Sequence, residues 1–226
     1  MSPERHQRIR EKLHFRQLDL TILLEEVNKP YNVSAVMRTC DSVGIHQVHA
    51  VWHKQDEVRT VTAKGAQAWV GMQTHATITD AVAQVKQQDM QVLVTHLSDE
   101  AVDFRQVDYT RPTAIIMGQE KHGATDSAIA LADQAIMIPM LGMAQSLNVS
   151  VAAAVILYEA QRQRELAGLY THSTLSESEY QRLLFSRGYP KIYQQWQGKE
   201  LPYPHINQHG EIDADAHWWQ QLRGKG

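Results

Sequence analysis

Arg38 has the clearest capacity for chemistry, because it stands in an otherwise apolar helical segment. The segment "NVSAVMRT" has Asn32 as the predicted helix N-cap and Arg38 six residues later. An arginine in this setting commonly extends its charge to the surface or forms an ion pair. The same guanidinium can also hold a phosphate or a carboxylate through paired hydrogen bonds. The segment therefore predicts either an ordinary surface arginine or an anion-binding residue.

Two further segments carry polar side chains where an apolar run gives way to a loop or a helix. "IIMGQEKHGAT" has Gly118 and Glu120 after an apolar run, and taken alone it is typical of a glycine-rich turn with a solvated glutamate. "MAQSLNVS" has Ser146 and Asn148 directly before the apolar run 151–157. Such residues can cap a buried helix, and they can also hold a ligand at its first turn.

Several other chemistries are disfavoured by the sequence. It contains no G-x-x-x-x-G-K-[ST], G-x-G-x-x-G, G-x-S-x-G or H-E-x-x-H motif. The 12 histidines have no recognisable metal-ligand spacing, so no metal is expected. Cys40 lies inside a predicted helix and is expected to be a buried, unreactive thiol.

The elements that position these residues alternate between strands and helices. Short runs rich in aliphatic and β-branched residues, several of them continuously apolar, are separated by amphipathic segments across residues 20–160. This alternation predicts an α/β domain with a mainly parallel sheet sandwiched by helices. All three polar segments follow predicted strands, and ligands of open α/β sheets bind beyond the carboxyl ends of strands.

Two terminal segments flank this domain. Residues 1–19 are predicted to form a helical arm that begins at Ser2 and Pro3. Residues 161–226 are predicted to form a helical extension with too little apolar material for a core of its own.

Charge and cysteine content suggest a cytoplasmic protein. The net charge is −3, so no overall basic field indicates a nucleic-acid partner, although residues 1–20 carry five Lys or Arg against three Asp or Glu. The charged N-terminus lacks a signal-peptide core, no apolar run is long enough to cross a membrane, and the single cysteine excludes an internal disulfide.

The three polar segments together resemble the ordered motifs of the SpoU/TrmH family of SPOUT RNA 2′-O-ribose methyltransferases. The segments are "NVSAVMRT", "MGQEKHGAT" and "IPMLGMAQSLNVSVAAAVILYEAQRQR", and the Ser-Leu-Asn-Val-Ser core of the third is the most specific. The resemblance implies an α/β SPOUT fold with a C-terminal trefoil knot, a homodimer, and S-adenosyl-L-methionine as methyl donor. It covers essentially the whole chain.

The resemblance also assigns roles to individual residues. Those matching the family's functional polar positions are Asn32, Arg38, Glu120, Ser146 and Asn148. Those matching its cofactor pocket are Leu97, Gly118, Ile138 and Leu147. Two departures are Cys40, where relatives often have Ala, and the segment "TAKGAQAW", which leaves the roles of Lys64 and Gln67 open.

The two terminal segments are similar to those of family members that methylate the ribose of guanosine 18 in the tRNA D-loop. On this basis we expect tRNA as partner, with four candidate phosphate contacts that could equally be ordinary surface residues: Arg8, Arg16, Arg162 and Arg164. Two alternatives stay open. One is 2′-O-methylation of ribosomal RNA or of another tRNA position, and the other is a non-catalytic RNA-binding homodimer.

The implied reaction is an in-line transfer of a methyl group from a sulfonium to a ribose 2′-hydroxyl. Arginine has a pKa above about 12 and is therefore a poor general base. Our hypothesis is that Arg38 chiefly holds the phosphate of the target nucleotide, which polarises the hydroxyl or accepts its proton, while Asn32 orients it.

Overall fold

The computed structural model describes residues 1–52 and 69–224. Lys64 and Gln67 lie outside the described residues. The chain forms two compact units, Gln17–Thr171 and Met1–Arg16 together with His172–Gly226. These units differ from the boundaries 1–19, 20–160 and 161–226 drawn from the sequence, because both termini belong to one unit.

The larger unit contains a seven-stranded sheet in which every paired strand is parallel. Its strands are β1 (Leu20–Glu25), β2 (Gln47–Val51), β3 (Gly71–His75), β4 (Gln91–Thr95), β5 (Val102–Asp103), β6 (Thr113–Met117) and β7 (Gln134–Met137). Their order is β3-β2-β1-β6-β4-β7-β5. The helices are α2 (Pro30–Ser42), α3 (Ile78–Lys86), α4 (Asp126–Leu131) and α5 (Val149–Leu166), with a short 3₁₀ turn at Phe104–Gln106. The predicted α/β class is confirmed.

Both faces of this sheet are covered, as the continuously apolar strands predict. Ile22 and Leu24 of β1 pack in one core cluster with residues of α2 and α5, and Leu23 packs in a second cluster with residues of α3 and α4. Burying one such side chain stabilises the fold by about 1.5–3 kcal/mol. The alternation along β1 also places the side chain of Glu25 on the same face as Leu23.

The smaller unit has a packed centre, contrary to the expectation from its composition. It comprises α1 (Pro3–His14), α6 (Glu177–Gly188), α7 (Pro190–Trp196), the strand pair β8 (His205–Ile206) and β9 (Ile212–Asp213), and α8 (Ala216–Leu222). Around buried Phe185, the rings of Tyr193, Trp196, Tyr203 and Trp218 lie with centroids 5.9–6.2 Å away. The core combines these rings with buried aliphatic side chains from both ends of the chain, and the N-terminal ones were not counted in the expectation for residues 161–226: Ile9, Leu13, Leu183, Leu184, Ile206 and Leu222.

A histidine pair at neighbouring strands links folding to pH. His49 Nδ1 on β2 and His75 Nε2 on β3 lie 2.9 Å apart. Burial, and then His75, lower the pKa of His49 to about 4, and burial also lowers the pKa of His75. Both rings are therefore neutral in the folded protein at neutral pH. In the unfolded chain a histidine has an ordinary pKa near 6.5, so it takes up a proton at a higher pH than either folded ring.

We expect stability to fall as the pH is lowered from about 6.5 to about 4, because the unfolded chain takes up protons first. For His49 the loss approaches about 3 kcal/mol, since one pKa unit corresponds to about 1.4 kcal/mol. Urea unfolding across this range should give a flatter pH dependence for His49→Gln than for the wild type. Exposed His217→Gln is the control and should keep the wild-type slope. Equal slopes for all three proteins would contradict this assignment.

Candidate active site

The three polar segments meet at the carboxyl edge of the sheet. β1, β6, β4 and β7 are neighbours, and in register Leu24 lies beside Met117 and Thr95 beside Ile136. The loops that follow these parallel strands therefore emerge side by side. The first turns of α2 and α5 stand at the same edge, so their unpaired backbone N–H groups add positive partial charge there.

Asn32 joins two of the other predicted residues through its side-chain amide. Its Nδ2 donates a hydrogen bond to Glu120 Oε1, and its Oδ1 accepts one from Asn148 Nδ2 at 3.2 Å. Asn32 is only 8% exposed. A buried amide with both ends bonded to side chains from two other loops fixes those loops relative to α2. We call this set, Asn32, Glu120 and Asn148, the amide–carboxylate network.

The structure corrects one detail of the expectation for Asn32. It is not an N-cap, because α2 begins at Pro30 with Lys29 as its N-cap, and Asn32 lies inside the first turn. Proline is favoured at the first helical position, where its missing N–H costs no hydrogen bond. The Asn32 side chain is thereby free to bond to the other loops rather than to its own helix.

Asn148 caps α5, as its position suggested, and it also bonds to Asn32. Its Oδ1 accepts hydrogen bonds from the backbone N–H and the hydroxyl of Ser150, at 2.9 and 2.7 Å, and so it caps α5. Its Nδ2 meanwhile donates to Asn32. Ser146 is exposed in the preceding loop and makes no hydrogen bond within the described residues.

Arg38 lies apart from the amide–carboxylate network. It lies six positions after Asn32 in the helix, which corresponds to about 9 Å along the axis of α2 and about 120° around it. Its side chain is exposed, and its guanidinium has no ion-pair partner in the described part of the chain. It is therefore an exposed cation on α2 whose charge no described side chain neutralises.

The four residues predicted for cofactor binding follow three neighbouring strands. Leu97 follows β4, Gly118 follows β6, Ile138 follows β7, and Leu147 precedes α5. Leu97 is 65% exposed, and Ile138 and Leu147 are half-buried. Ile138 also packs against the core, whereas Leu97 is mostly exposed. Apolar surface beside loop backbone groups is the kind of surface that binds an adenine ring.

Gly118 is required by the path of the loop itself. A Cβ at this position would lie 2.2 Å from the carbonyl carbon of Gly123 and 2.2 Å from the nitrogen of Ala124. Gln119 and Gly123 exchange backbone hydrogen bonds of 3.1 and 2.9 Å, which close the turn. Gly118 thus permits backbone to approach backbone, as in the glycine-rich turn that the segment alone predicts.

We expect Gly118→Ala to weaken S-adenosyl-L-methionine binding by at least about 10-fold, because residues 118–124 must move to accommodate the methyl group. Gly71→Ala is the matched control, since a Cβ there would meet its neighbours at 3.7 Å or more. Titration calorimetry of the two variants checks this. Unchanged affinity in Gly118→Ala would contradict the packing argument.

A pair of residues that sequence analysis missed fixes the far end of this loop. Buried Glu25 accepts hydrogen bonds from Thr125, at 2.9 Å from its backbone N–H and 2.7 Å from its hydroxyl. The available signal was an acidic residue at the end of an otherwise apolar strand, "LTILLE". A buried carboxylate there requires bonded partners.

Comparison with known proteins decides the family. The SpoU rRNA Methylase family matches residues 19–158, and the family of SpoU rRNA methylase C-terminal segments matches residues 162–215. The chain belongs to the SpoU methylase family. The amide–carboxylate network and the three neighbouring loops lie within the first matched range.

Individual SpoU relatives agree with this placement. The tRNA (guanosine(18)-2′-O)-methyltransferase of Escherichia coli strain K12 is 59% identical over 230 aligned positions, covering 100% of both chains. The crystal structure of the Aquifex aeolicus TrmH/SpoU tRNA modifying enzyme matches with a TM-score of 0.77 and 40% identity, over 84% of this chain and 97% of that one. The SpoU methyltransferase AviRb from Streptomyces viridochromogenes, in complex with the cofactor AdoMet, matches with a TM-score of 0.61 and 26% identity, over 66% of this chain and 62% of that one.

The cofactor AdoMet is bound to AviRb in that complex. Leu97 is exposed and Ile138 and Leu147 are half-buried in the loops at the carboxyl edge of the sheet, and their role in cofactor binding stays a prediction. In the described part of the chain, no group of three or more His, Cys, Asp and Glu side chains is placed to hold a metal ion. None of the described helices is both long and apolar enough to cross a membrane.

Two of the four arginines predicted to contact RNA are buried in the structure. Arg164 is 1% exposed, forms an ion pair with Asp19, and donates to Gln17 Oε1 at 3.0 Å and to the Tyr109 carbonyl at 3.1 Å. Arg16 is 3% exposed. Neither guanidinium can meet an RNA phosphate without local opening, so the prediction is wrong for both.

The other two candidates are accessible. Arg8 on α1 is exposed. Arg162 on α5 is exposed and is bonded to Glu159 at 2.9 and 2.7 Å. An exposed pair of this kind contributes only about 0–1 kcal/mol, so a phosphate can compete with Glu159 for Arg162.

Proposed function

We propose that this protein is a tRNA (guanosine-18-2′-O)-methyltransferase that uses S-adenosyl-L-methionine as methyl donor. The observation that carries the proposal is the identity of 59% over the full length of the E. coli enzyme of that activity. Full-length coverage matters, because the terminal unit is included as well as the methyltransferase domain. The amide–carboxylate network gives the activity its structural basis in this chain.

S-adenosyl-L-methionine, when bound, supplies a methyl group on a positively charged sulfur. Leu97, Ile138 and Leu147 hold the adenosine at the carboxyl edge of the sheet, and the turn closed at Gly118 keeps the loop backbone in place. Holding the ribose hydroxyl about 3–3.5 Å from the methyl carbon and in line with the leaving sulfur lowers the barrier by several kcal/mol.

Asn32, Glu120 and Asn148 provide the rigid frame for that alignment. Glu120 accepts from Asn32, and Asn148 ties the same amide to the start of α5. Ser146 stands exposed beside the frame, where its hydroxyl can bond to the incoming nucleotide or cofactor.

Arg38 holds the phosphate of the target nucleotide. Its exposed guanidinium has the paired N–H geometry that phosphate requires. The phosphate, so held, polarises the 2′-hydroxyl or takes its proton as the oxygen–carbon bond forms and the carbon–sulfur bond breaks, with its electron pair neutralising the sulfur. Arg38 keeps its own protons throughout.

The assembly is a cytoplasmic homodimer whose methyltransferase domain contains a C-terminal trefoil knot. Exposed apolar side chains on α5 and in the loop before it support a dimer surface: Val151, Tyr158, Leu141 and Met143. The position of β7 between β4 and β5, which both precede it in the chain, supports the knotted path. Arg8 and Arg162 contact tRNA phosphates, and affinity for tRNA falls with increasing salt.

Methyl transfer to competing RNAs tests the proposal. The purified protein is given labelled S-adenosyl-L-methionine with unmodified tRNA transcript or with ribosomal RNA. We expect label in the tRNA transcript and none in a transcript with 2′-deoxyguanosine at position 18. Label in ribosomal RNA alone would reject the proposal in favour of a ribosomal target, and cofactor binding without transfer to any RNA would favour a non-catalytic role.

A further inference from the structure

Glu25 is a buried carboxylate with no part in the reaction as described so far. It is the last residue of β1, is 2% exposed, and has its side chain on the sheet face covered by α3 and α4. Burying a carboxylate is costly unless it is fully bonded. Its conformation is therefore strongly constrained by the groups that bond to it.

Both carboxylate oxygens bond to one residue. Thr125 donates its backbone N–H to Oε2 at 2.9 Å and its hydroxyl to Oε1 at 2.7 Å. The same hydroxyl accepts a hydrogen bond from the backbone N–H of Ala128 at 3.1 Å and so caps α4. The contact joins the end of β1 to the residue at which the 118–125 loop ends.

The other end of this loop carries Glu120. The loop leaves β6 at Gly118, turns through paired hydrogen bonds between Gln119 and Gly123, and reaches Thr125. One end is fixed by β6 and the other by Glu25, which leaves Glu120 between two fixed points. From there Glu120 accepts its hydrogen bond from Asn32.

We propose that Glu25 is a positioning residue for methyl transfer, because its bond to Thr125 holds the 118–125 loop and thereby holds Glu120 against Asn32. The inference rests on the proposed function for its effect on rate, but its effect on loop order is independent of that function. Glu25 itself contacts neither RNA nor cofactor.

Isosteric variants separate positioning from simple stability. Glu25→Gln removes the negative charge and leaves one acceptor oxygen for the two donors of Thr125, so one of the two hydrogen bonds to Thr125 is lost or reversed. Thr125→Val removes the hydroxyl. Each is expected to lower kcat about 10-fold or more with little change in the KM for tRNA, since a misplacement of about 1 Å can cost about 100-fold. Thr125→Ser keeps the hydroxyl and should keep kcat within about twofold of the wild type.

Thr21→Val is the matched control. Thr21 is buried on the same face of β1 but near its other end, where its hydroxyl donates to the Gln47 carbonyl at 2.7 Å. This variant should lower Tm to a similar extent and leave kcat within about twofold of the wild type. If Glu25→Gln does not fold, Thr125→Val and Thr125→Ser provide the test. A lower kcat in Thr125→Val than in Thr125→Ser supports the proposal, and equal values contradict it.

Amide hydrogen exchange gives a readout that needs no activity. Exchange at Gln119 and Gly123 should quicken in Glu25→Gln and stay at the wild-type rate in Thr21→Val. If the wild-type protein transferred no methyl group to tRNA, the proposed function would be rejected, but the exchange rates would still test whether Glu25 holds the loop. Unchanged exchange together with wild-type kcat in Glu25→Gln, or an equal loss of kcat in Thr21→Val, would overturn the proposal for Glu25.

Discussion

Replacing Arg38 with alanine is expected to lower kcat for tRNA methylation by about 100- to 1,000-fold while leaving the affinity for S-adenosyl-L-methionine unchanged. The reason is positional. Arg38 is exposed on α2, about 9 Å along the helix axis from Asn32, and it is the proposed partner of the substrate phosphate. Loss of one preorganised hydrogen-bond donor that stabilises charge in the transition state costs about this factor in other enzymes.

Arg38→Lys separates charge from geometry. Lysine keeps a positive charge but offers no planar pair of N–H donors. Measurable activity in Arg38→Lys would mean that charge suffices, and loss comparable to Arg38→Ala would mean that paired hydrogen bonds are needed. Single-turnover kinetics with cofactor affinity measured separately checks both variants, and a normal rate in Arg38→Ala would reject the phosphate-holding role altogether.

The second large effect is expected in the amide–carboxylate network. Asn32→Ala should lower kcat about 100-fold, because it removes the amide that bonds to both Glu120 and Asn148. Glu120→Ala should have an effect of similar size. The double variant should be little worse than either single one, since residues that share one hydrogen bond are strongly non-additive.

Thr39→Ala is the control for this cycle. Thr39 lies on the same helix and donates its hydroxyl to the Ala35 carbonyl at 3.2 Å, outside the network. Its kcat should stay within about twofold of the wild type. Independent, multiplying losses for Asn32→Ala and Glu120→Ala in steady-state assays would contradict the network as the unit that aligns the substrate.

The strands were predictable because a strand that is buried on both faces of a sheet requires apolar side chains at nearly every position, which gives a continuous apolar run in the sequence. β1 and β6 are examples, with "LTILLE" and "TAIIM" buried along their whole length. β5 has only two residues and half-buried side chains, so it carries no such signal. The start of α2 was misplaced although Pro30 marks it, because Asn32 offered a competing N-cap signal.

The site was only partly predictable, because its contacts join residues far apart in the chain. The resemblance selected Asn32, Glu120 and Asn148, but only the fold brings their side chains within hydrogen-bonding distance. Arg164 illustrates the opposite case. Its place in a polar, helical segment suggested solvent, whereas the structure buries it against Asp19 and the Tyr109 carbonyl.

The most direct test of the account is to map the methyl group on tRNA. Unmodified transcript is incubated with the protein and S-adenosyl-L-methionine, and 2′-O-methylated positions are located by their resistance to alkaline cleavage. The account predicts one protected position, guanosine 18, in the wild-type reaction and none with Arg38→Ala. Protection at another nucleotide, or equal protection at guanosine 18 with Arg38→Ala, would contradict it.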